Sequence, residues 1–288
     1  MNNKKVTRPV LKIPSSILFA VWLSQRLSIS VAAKLGLYFF FRPQRFKTPQ
    51  RELKMQSESI KEKLLIPSIK SDVQVYKLMG KGSKTLLLHG WSGRGTQLYT
   101  FAETLQKEGM EVITFDMPAH GKSLGKKTNI LELIACIKKL SETYGPFDYA
   151  IAHSMGSMAL LKALSDGLEL KSACIIGSGD KVYNVFYRFA QRVGFSNLVV
   201  ERMIDIVEKK FGMNLESYSS SMSIKNLQQP LLIVHDEDDT ETPVVYSQTL
   251  HKLAKNAELM ITSGLGHYRI LRDRETVNKI VQFIKNQK

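Results

Sequence analysis

Tyr149-Ala150-Ile151-Ala152-His153-Ser154-Met155-Gly156 is the stretch that decides how this chain is read. Its first five residues, mostly apolar and uninterrupted by Gly or Pro, suit a short strand buried on both faces, and a helical pattern from Met155 to Leu164 follows at once. Ser154 therefore sits on a strand-to-helix turn with a small residue two positions away on each side. Working outward, Thr85-Leu86-Leu87-Leu88-His89, Val112-Ile113-Thr114-Phe115, Ala173-Cys174-Ile175-Ile176, Leu231-Leu232-Ile233-Val234 and Glu258-Leu259-Met260-Ile261 read as further short strands. Helical patterns at 96–108, 129–142, 244–255 and 273–286 alternate with them, and this order predicts an α/β fold with a mostly parallel central sheet covered by helices on both faces. Leu64-Leu65-Ile66 and Val73-Gln74-Val75-Tyr76 add a leading pair of strands around a turn. Residues 180–225 interrupt the alternation with aromatic-rich helical sequence and no strand, as a small helical cap inserted into the sheet domain would. Open parallel sheets bind ligands at the carboxyl ends of their strands, so the chemistry should lie just after them.

Ala152-His153-Ser154-Met155-Gly156 has the spacing a nucleophile elbow needs: a strained turn lifts the hydroxyl into the site, and bulky residues two positions away would strike the adjoining strand and helix. Here the chain resembles the α/β-hydrolase family, with Ala152 in place of the first Gly of its G-x-S-x-G motif. A serine nucleophile needs a base, and His267, in Gly264-Leu265-Gly266-His267-Tyr268, follows the last strand. The base needs a carboxylate to orient it and to stabilise its imidazolium form. His235-Asp236-Glu237-Asp238-Asp239-Thr240-Glu241-Thr242-Pro243 supplies one after a strand, and the order Ser154, Asp239, His267 matches the family's. The Asp-x-x-x-Pro spacing to Pro243 resembles the family's acid loop, and that resemblance favours Asp239 over Asp238 and Asp236. Asp238 and Asp180, the latter just after the Ile175-Ile176 strand where some members place their acid, are the alternatives, and Asp236 stands where many members have Gly. The resemblance further implies an oxyanion hole from the backbone N–H groups of Met155 and of Trp91, in His89-Gly90-Trp91-Ser92-Gly93, and a structural role for Asp116-Met117-Pro118-Ala119-His120-Gly121-Lys122-Ser123. Each piece has a plain structural alternative: Ser154 as a helix N-cap, His267 as a loop histidine, the acidic run as a solvated turn. His89, His120 and His153 read as structural histidines with satisfied hydrogen bonds. Four motifs in one order, each after a strand, are what carries the reading.

Composition narrows the class. The 288 residues are 43% hydrophobic and 23% charged, with 2 Cys, which excludes a disordered chain and a disulfide scaffold. Cys136 and Cys174 read as buried, reduced thiols without zinc-ligand spacing. The net charge of +15 is uneven: residues 1–70 hold 14 Lys and Arg against 3 Asp and Glu, whereas 71–288 hold 27 against 23. Basicity thus belongs to an N-terminal segment (residues 1–63, with a connector from 44) rather than to the hydrolase domain at 64–288, and no nucleic-acid motif accompanies it. Within that segment an apolar stretch, 13–41, lies between Lys4, Lys5, Arg8 and Lys12 on one side and Arg42, Arg45 and Lys47 on the other. Arg26, Ser30 and Lys34 at i, i+4 and i+8 would form one polar stripe on a helix otherwise apolar. The stretch fits an interfacial membrane helix, a helical pair packed on the folded domain or a second subunit, or a span burdened by Arg26 and Lys34.

The implied function is hydrolysis of a carboxylic ester with an apolar acyl group, through an acyl-serine intermediate and without cofactor or metal. Thioesterase, amidase or a non-catalytic ligand- or partner-binding protein of the same fold are the alternatives. The partners expected are a small ester and, through residues 13–41, a membrane surface, but not nucleic acid. The apolar insertion, if it lies over the site, would cover an acyl pocket. Without a cleavage site or disulfides, a cytoplasmic protein, membrane-associated through its N-terminal segment, is the expected location; the sequence leaves the oligomeric state open.

Overall fold

The computed structural model describes residues 13–287. Lys4, Lys5, Arg8 and Lys12, the first basic flank, lie outside the described residues. In chain order the elements are α1 (Ser15–Leu27), α2 (Ile29–Phe40), α3 (Gln50–Glu58), β1 (Ile60–Ile66), β2 (Ser71–Leu78), β3 (Lys84–Leu88), α4 (Tyr99–Lys107), β4 (Glu111–Phe115) and α5 (Ile130–Tyr144). They continue with β5 (Tyr149–His153), α6 (Met155–Ser165), β6 (Ser172–Ile176), α7 (Val182–Val193), α8 (Asn197–Phe211), α9 (Ser220–Ser223) and β7 (Leu231–Asp236). Last come α10 (Val244–Leu253), β8 (Ala257–Thr262), α11 (Gly266–Arg269) and α12 (Arg274–Asn286).

The chain divides into two compact units, one of residues 13–41 with Val182–Glu216, the other of Arg42–Lys181 with Ser217–Lys288. In the larger unit all eight strands form one sheet in the order β1-β2-β4-β3-β5-β6-β7-β8, antiparallel at β1/β2 and β2/β4 and parallel elsewhere. The continuous apolar strands are explained by their two faces. Leu86, Leu88, Ala150, Ala152, Ala173, and Ile175 point into a core shared with α5 and α6. Their neighbours Leu87, Ile151, Cys174 and Ile176 point into a second core, shared with α4 and α12. Both cysteines are free and buried, one in each core. Local chemistry sets the helix ends: the Asn129 side chain accepts from the N–H groups of Leu131 and Glu132 at the start of α5, and Asp273 caps α12 by accepting from Thr276 N–H. The first strand begins at Ile60, four residues before the sequence places it, because Ile60–Leu65 pairs residue by residue with Asp72–Lys77.

The smaller unit joins two stretches that lie far apart in the sequence. Helices α1 and α2 pack on each other, α2 packs on α8, and α8 on α7. Ala32, Ala33 and Gly36 are buried on α2, and a Cβ added at Gly36 would lie 2.6 Å from Met203 Sδ, so small residues permit the close approach to α8. Phe40 stacks on Phe186 at a centroid distance of 4.2 Å. Between α1 and α2 the backbone of Ser28 is extended (φ −169°, ψ 136°), which ends the first helix after 13 residues. Arg26 therefore lies on a different helix from Ser30 and Lys34, and the continuous polar stripe does not form. Among the described residues no helix is long and apolar enough to cross a membrane.

Candidate active site

The turn at Ser154 has the strain its motif predicts. Its backbone lies at φ 54°, ψ −119°, outside the regions open to most L-residues, between the last residue of β5 and the first of α6. Three bonds hold it: Ser154 N–H donates to Ile176 O at 2.8 Å, Ser157 Oγ donates to Ala152 O at 2.8 Å, and Ser157 N–H donates to Ser154 O. The second small position is required, since a Cβ at Gly156 would stand 2.6 Å from the carbonyl oxygen of His89. The neighbouring loop comes equally close, for a Cβ at Gly90 would lie 2.8 Å from Ser154 Cβ and 2.9 Å from His153 Nδ1. Trp91 thus begins one residue from the serine, and neither its N–H nor that of Met155 is engaged by another group among the described residues.

Asp239 and His267 meet. His267 Nδ1 donates to Asp239 Oδ2 at 2.6 Å, and both side chains are almost fully buried. The other carboxylate oxygen accepts the N–H groups of Glu241 and Thr242, each at 2.8 Å, and His235 Nε2 lies 3.4 Å from Oδ2. Burial opposes ionisation of Asp239, but the hydrogen bonds from His235 and His267, the His267 charge and the Thr242 amide outweigh it and hold the carboxyl below its usual range. With Nδ1 occupied, Nε2 is the nitrogen of His267 left to accept a proton. Gly177 leaves room for the pair: a Cβ there would sit 3.2 Å from His267 Nδ1, and its φ of 58° favours glycine. The other carboxylates are placed differently. Asp238 Oδ2 accepts from Gly264 N–H, and Asp180 Oδ1 from Lys181 N–H. Ser154 Oγ and His267 share no hydrogen bond in this structure; their loops are joined instead through His153, whose Nε2 donates to His267 O at 2.9 Å.

Two features escaped the sequence. Asp236, standing where many α/β-hydrolases have Gly, is buried and accepts four donors: Asp238 N–H, Thr262 Oγ1, Leu265 N–H and Gly266 N–H, at 2.7–3.1 Å. It ties the loop that presents His267 to the loop that presents Asp239; the residue is unusual at this position, but nothing in one sequence shows which amides it would reach. The second is His153. His89 and His120 are satisfied as expected, each donating from Nδ1 to a carbonyl (Gly90 and Pro118) and accepting at Nε2 from a backbone N–H (Met117 and Ser92). His153 Nδ1, by contrast, is buried without a partner among the described residues, and burial pushes its pKa well down. Its expected full satisfaction is corrected: Nδ1 lies on the side of Gly90, where an added Cβ would stand 2.9 Å from it, and receives no donor among the described residues.

Two families match the sequence: one described as alpha/beta hydrolase fold over residues 86–180, and one described as TAP-like protein over 214–287. The chain has the α/β-hydrolase fold. Solved structures share this fold. The esterase Pf2001 of Pyrococcus furiosus is 22% identical, with 85% of this chain and 96% of that one covered and a TM-score of 0.63. A lipase described as putative from Acinetobacter baumannii is 17% identical over 83% and 96% of the two chains, TM-score 0.63. A bromoperoxidase from Bacillus anthracis is 15% identical over 79% and 100%, TM-score 0.60. At these identities the likeness is one of fold, and the fold alone does not choose among the reactions those names describe. No curated protein matches the sequence.

Proposed function

We propose that the protein is a serine hydrolase cleaving a carboxylic ester through an acyl-serine intermediate. The observation that carries this reading is the 2.6 Å bond from His267 Nδ1 to a buried, ionised Asp239, which fixes the tautomer a general base requires. His267 Nε2 takes the Ser154 Oγ proton as Oγ attacks the ester carbonyl carbon. The resulting oxyanion is received by the N–H groups of Trp91 and Met155, worth about 3 kcal/mol for each such donor. The C–O bond then breaks, the departing alkoxide takes the proton from His267, and water repeats the sequence on the acyl-serine, regenerating Ser154.

Labelling by a fluorophosphonate, read as intact mass, tests the mechanism. A single adduct on the wild-type chain, lost in Ser154→Ala, is the expected result; p-nitrophenyl esters of graded chain length, with matched thioesters and anilides, then separate esterase from thioesterase and amidase. No adduct on folded wild-type protein would overturn the proposal in favour of a ligand-binding role.

A further inference from the structure

Helix α1 carries its apolar residues outward. At 100° per residue, Leu18, Trp22, Phe19, Leu23 and Leu27 fall within one half of its circumference, with Arg26 at the middle of that arc. All five are exposed, Leu27 at 71%, Phe19 at 61% and Trp22 at 49%, whereas Val21 and Ser24 on the opposite side are buried. Phe19 and Trp22 stack at 5.8 Å, and the Arg26 guanidinium lies 4.6 Å from the Trp22 ring centroid. The exposed stripe of α2 repeats the composition, with Val31 and Tyr38 on either side of an exposed Lys34 at i, i+3 and i+7. A folded helix pair that already has buried contacts of its own has no internal use for this second apolar face.

Charge selects the occupant. The first 51 residues contain ten Lys or Arg and no Asp or Glu, so the face lies in a stretch of chain with one sign of charge only. Aromatic and aliphatic side chains interspersed with Arg and Lys, on a helix too short and too interrupted to span, match the interfacial region of an anionic bilayer. We propose that the outer face of α1, extended by Val31 and Tyr38 of α2, docks the protein on anionic lipid surfaces, with the apolar side chains entering the acyl boundary and the cations meeting headgroups. This docking is independent of the ester chemistry at Ser154.

The test is co-sedimentation of the full chain with vesicles of phosphatidylcholine alone or with roughly a third phosphatidylserine, with light scattering on the same samples. Two observations are expected: binding to the anionic vesicles that weakens as salt shortens the screening length, and partition at least about tenfold weaker for Phe19→Ser/Trp22→Ser/Leu27→Ser. Circular dichroism of that variant should match wild type, and its rate of Ser154 labelling in vesicle-free solution should be unchanged. Absence of vesicle binding, or equal binding by wild type and variant, would overturn the proposal. So would a dimer that the three substitutions dissociate without any vesicle binding; the face would then belong to a second copy of the chain.

Discussion

Strand β5 and helix α1 are both apolar runs, and they dispose of their side chains in opposite ways. All five residues of β5 are buried, because a central strand of a parallel sheet has cores on both faces. Of the 13 residues in α1, only Val21 and Ser24 are buried, because among the described residues the helix has a packing partner on one side alone. Apolar content therefore measures burial only once the number of covered faces is known. The comparison also separates the two proposals: a rigid sheet holds loops in the strained positions that the proposed chemistry needs, whereas the helix pair offers the surface proposed for docking.

The hardest test of the first half of this contrast is at the site. Ser154→Ala and His267→Ala should each reduce kcat for an ester substrate by roughly 10⁴–10⁶-fold, and Asp239→Asn by about 10⁴-fold, with the thermal midpoint little changed in Ser154→Ala. A steady-state assay beside a melting curve checks both. Comparable losses of activity and stability in Ser154→Ala would mean that the serine is a structural cap instead. Next in size is the core: Leu87→Ala, on the central strand β3 and fully buried, should cost about 2–5 kcal/mol in denaturant unfolding.

Protonation sharpens the same point. Burial, partly offset by the bond to Pro118 O and reinforced by the Arg45 cation, pushes the pKa of His120 down to about 4 from its ordinary value near 6.5. The folded state then binds fewer protons than the unfolded state between those values, so stability is fully present above pH 6.5 and is lost as pH falls toward 4. This one group contributes roughly 3 kcal/mol over that window, and His89 and His153, also lowered by burial, act in the same direction. Asp239, held low, adds a loss at still lower pH. Urea midpoints measured from pH 7 to pH 4 should fall, and the slope should be shallower in His120→Gln; a flat profile would contradict the neutral, hydrogen-bonded state assigned to these rings.

Much of this site was legible because its constraints are local. The strained serine, the small residues at 152 and 156, and the candidate acid and base placed after successive strands each need a particular residue at a fixed offset, and such offsets survive in a single sequence. The partners of Asp236 did not, since Thr262, Leu265 and Gly266 reach it only through the β7/β8 pairing, 26 to 30 residues away. The union of 13–41 with 182–216 was hidden for the same reason: nothing near Gly36 announces Met203. The break at Ser28 escaped because serine is tolerated within helices, so composition gave no stop signal between α1 and α2.

The smallest expected effect bears most directly on α1. Phe19→Ser removes a large aromatic side chain that is 61% exposed, while Val21→Ser removes a smaller one that is 1% exposed, two residues away on the same helix. If the apolar arc of α1 took part in folding, size would decide and Phe19→Ser would be the more damaging change. If burial decides, Phe19→Ser should shift unfolding by no more than about 0.5 kcal/mol, and Val21→Ser should cost about 2 kcal/mol through lost contacts and a buried hydroxyl. Denaturant midpoints of the two variants, followed by far-ultraviolet circular dichroism, separate the cases. Near-neutrality at Phe19 with a clear loss at Val21 would show that the helix is held by its inner side only. The outer side chains would then be free of any folding role, which is the condition under which a loss of vesicle binding in the triple variant reports on lipid contact rather than on a damaged helix.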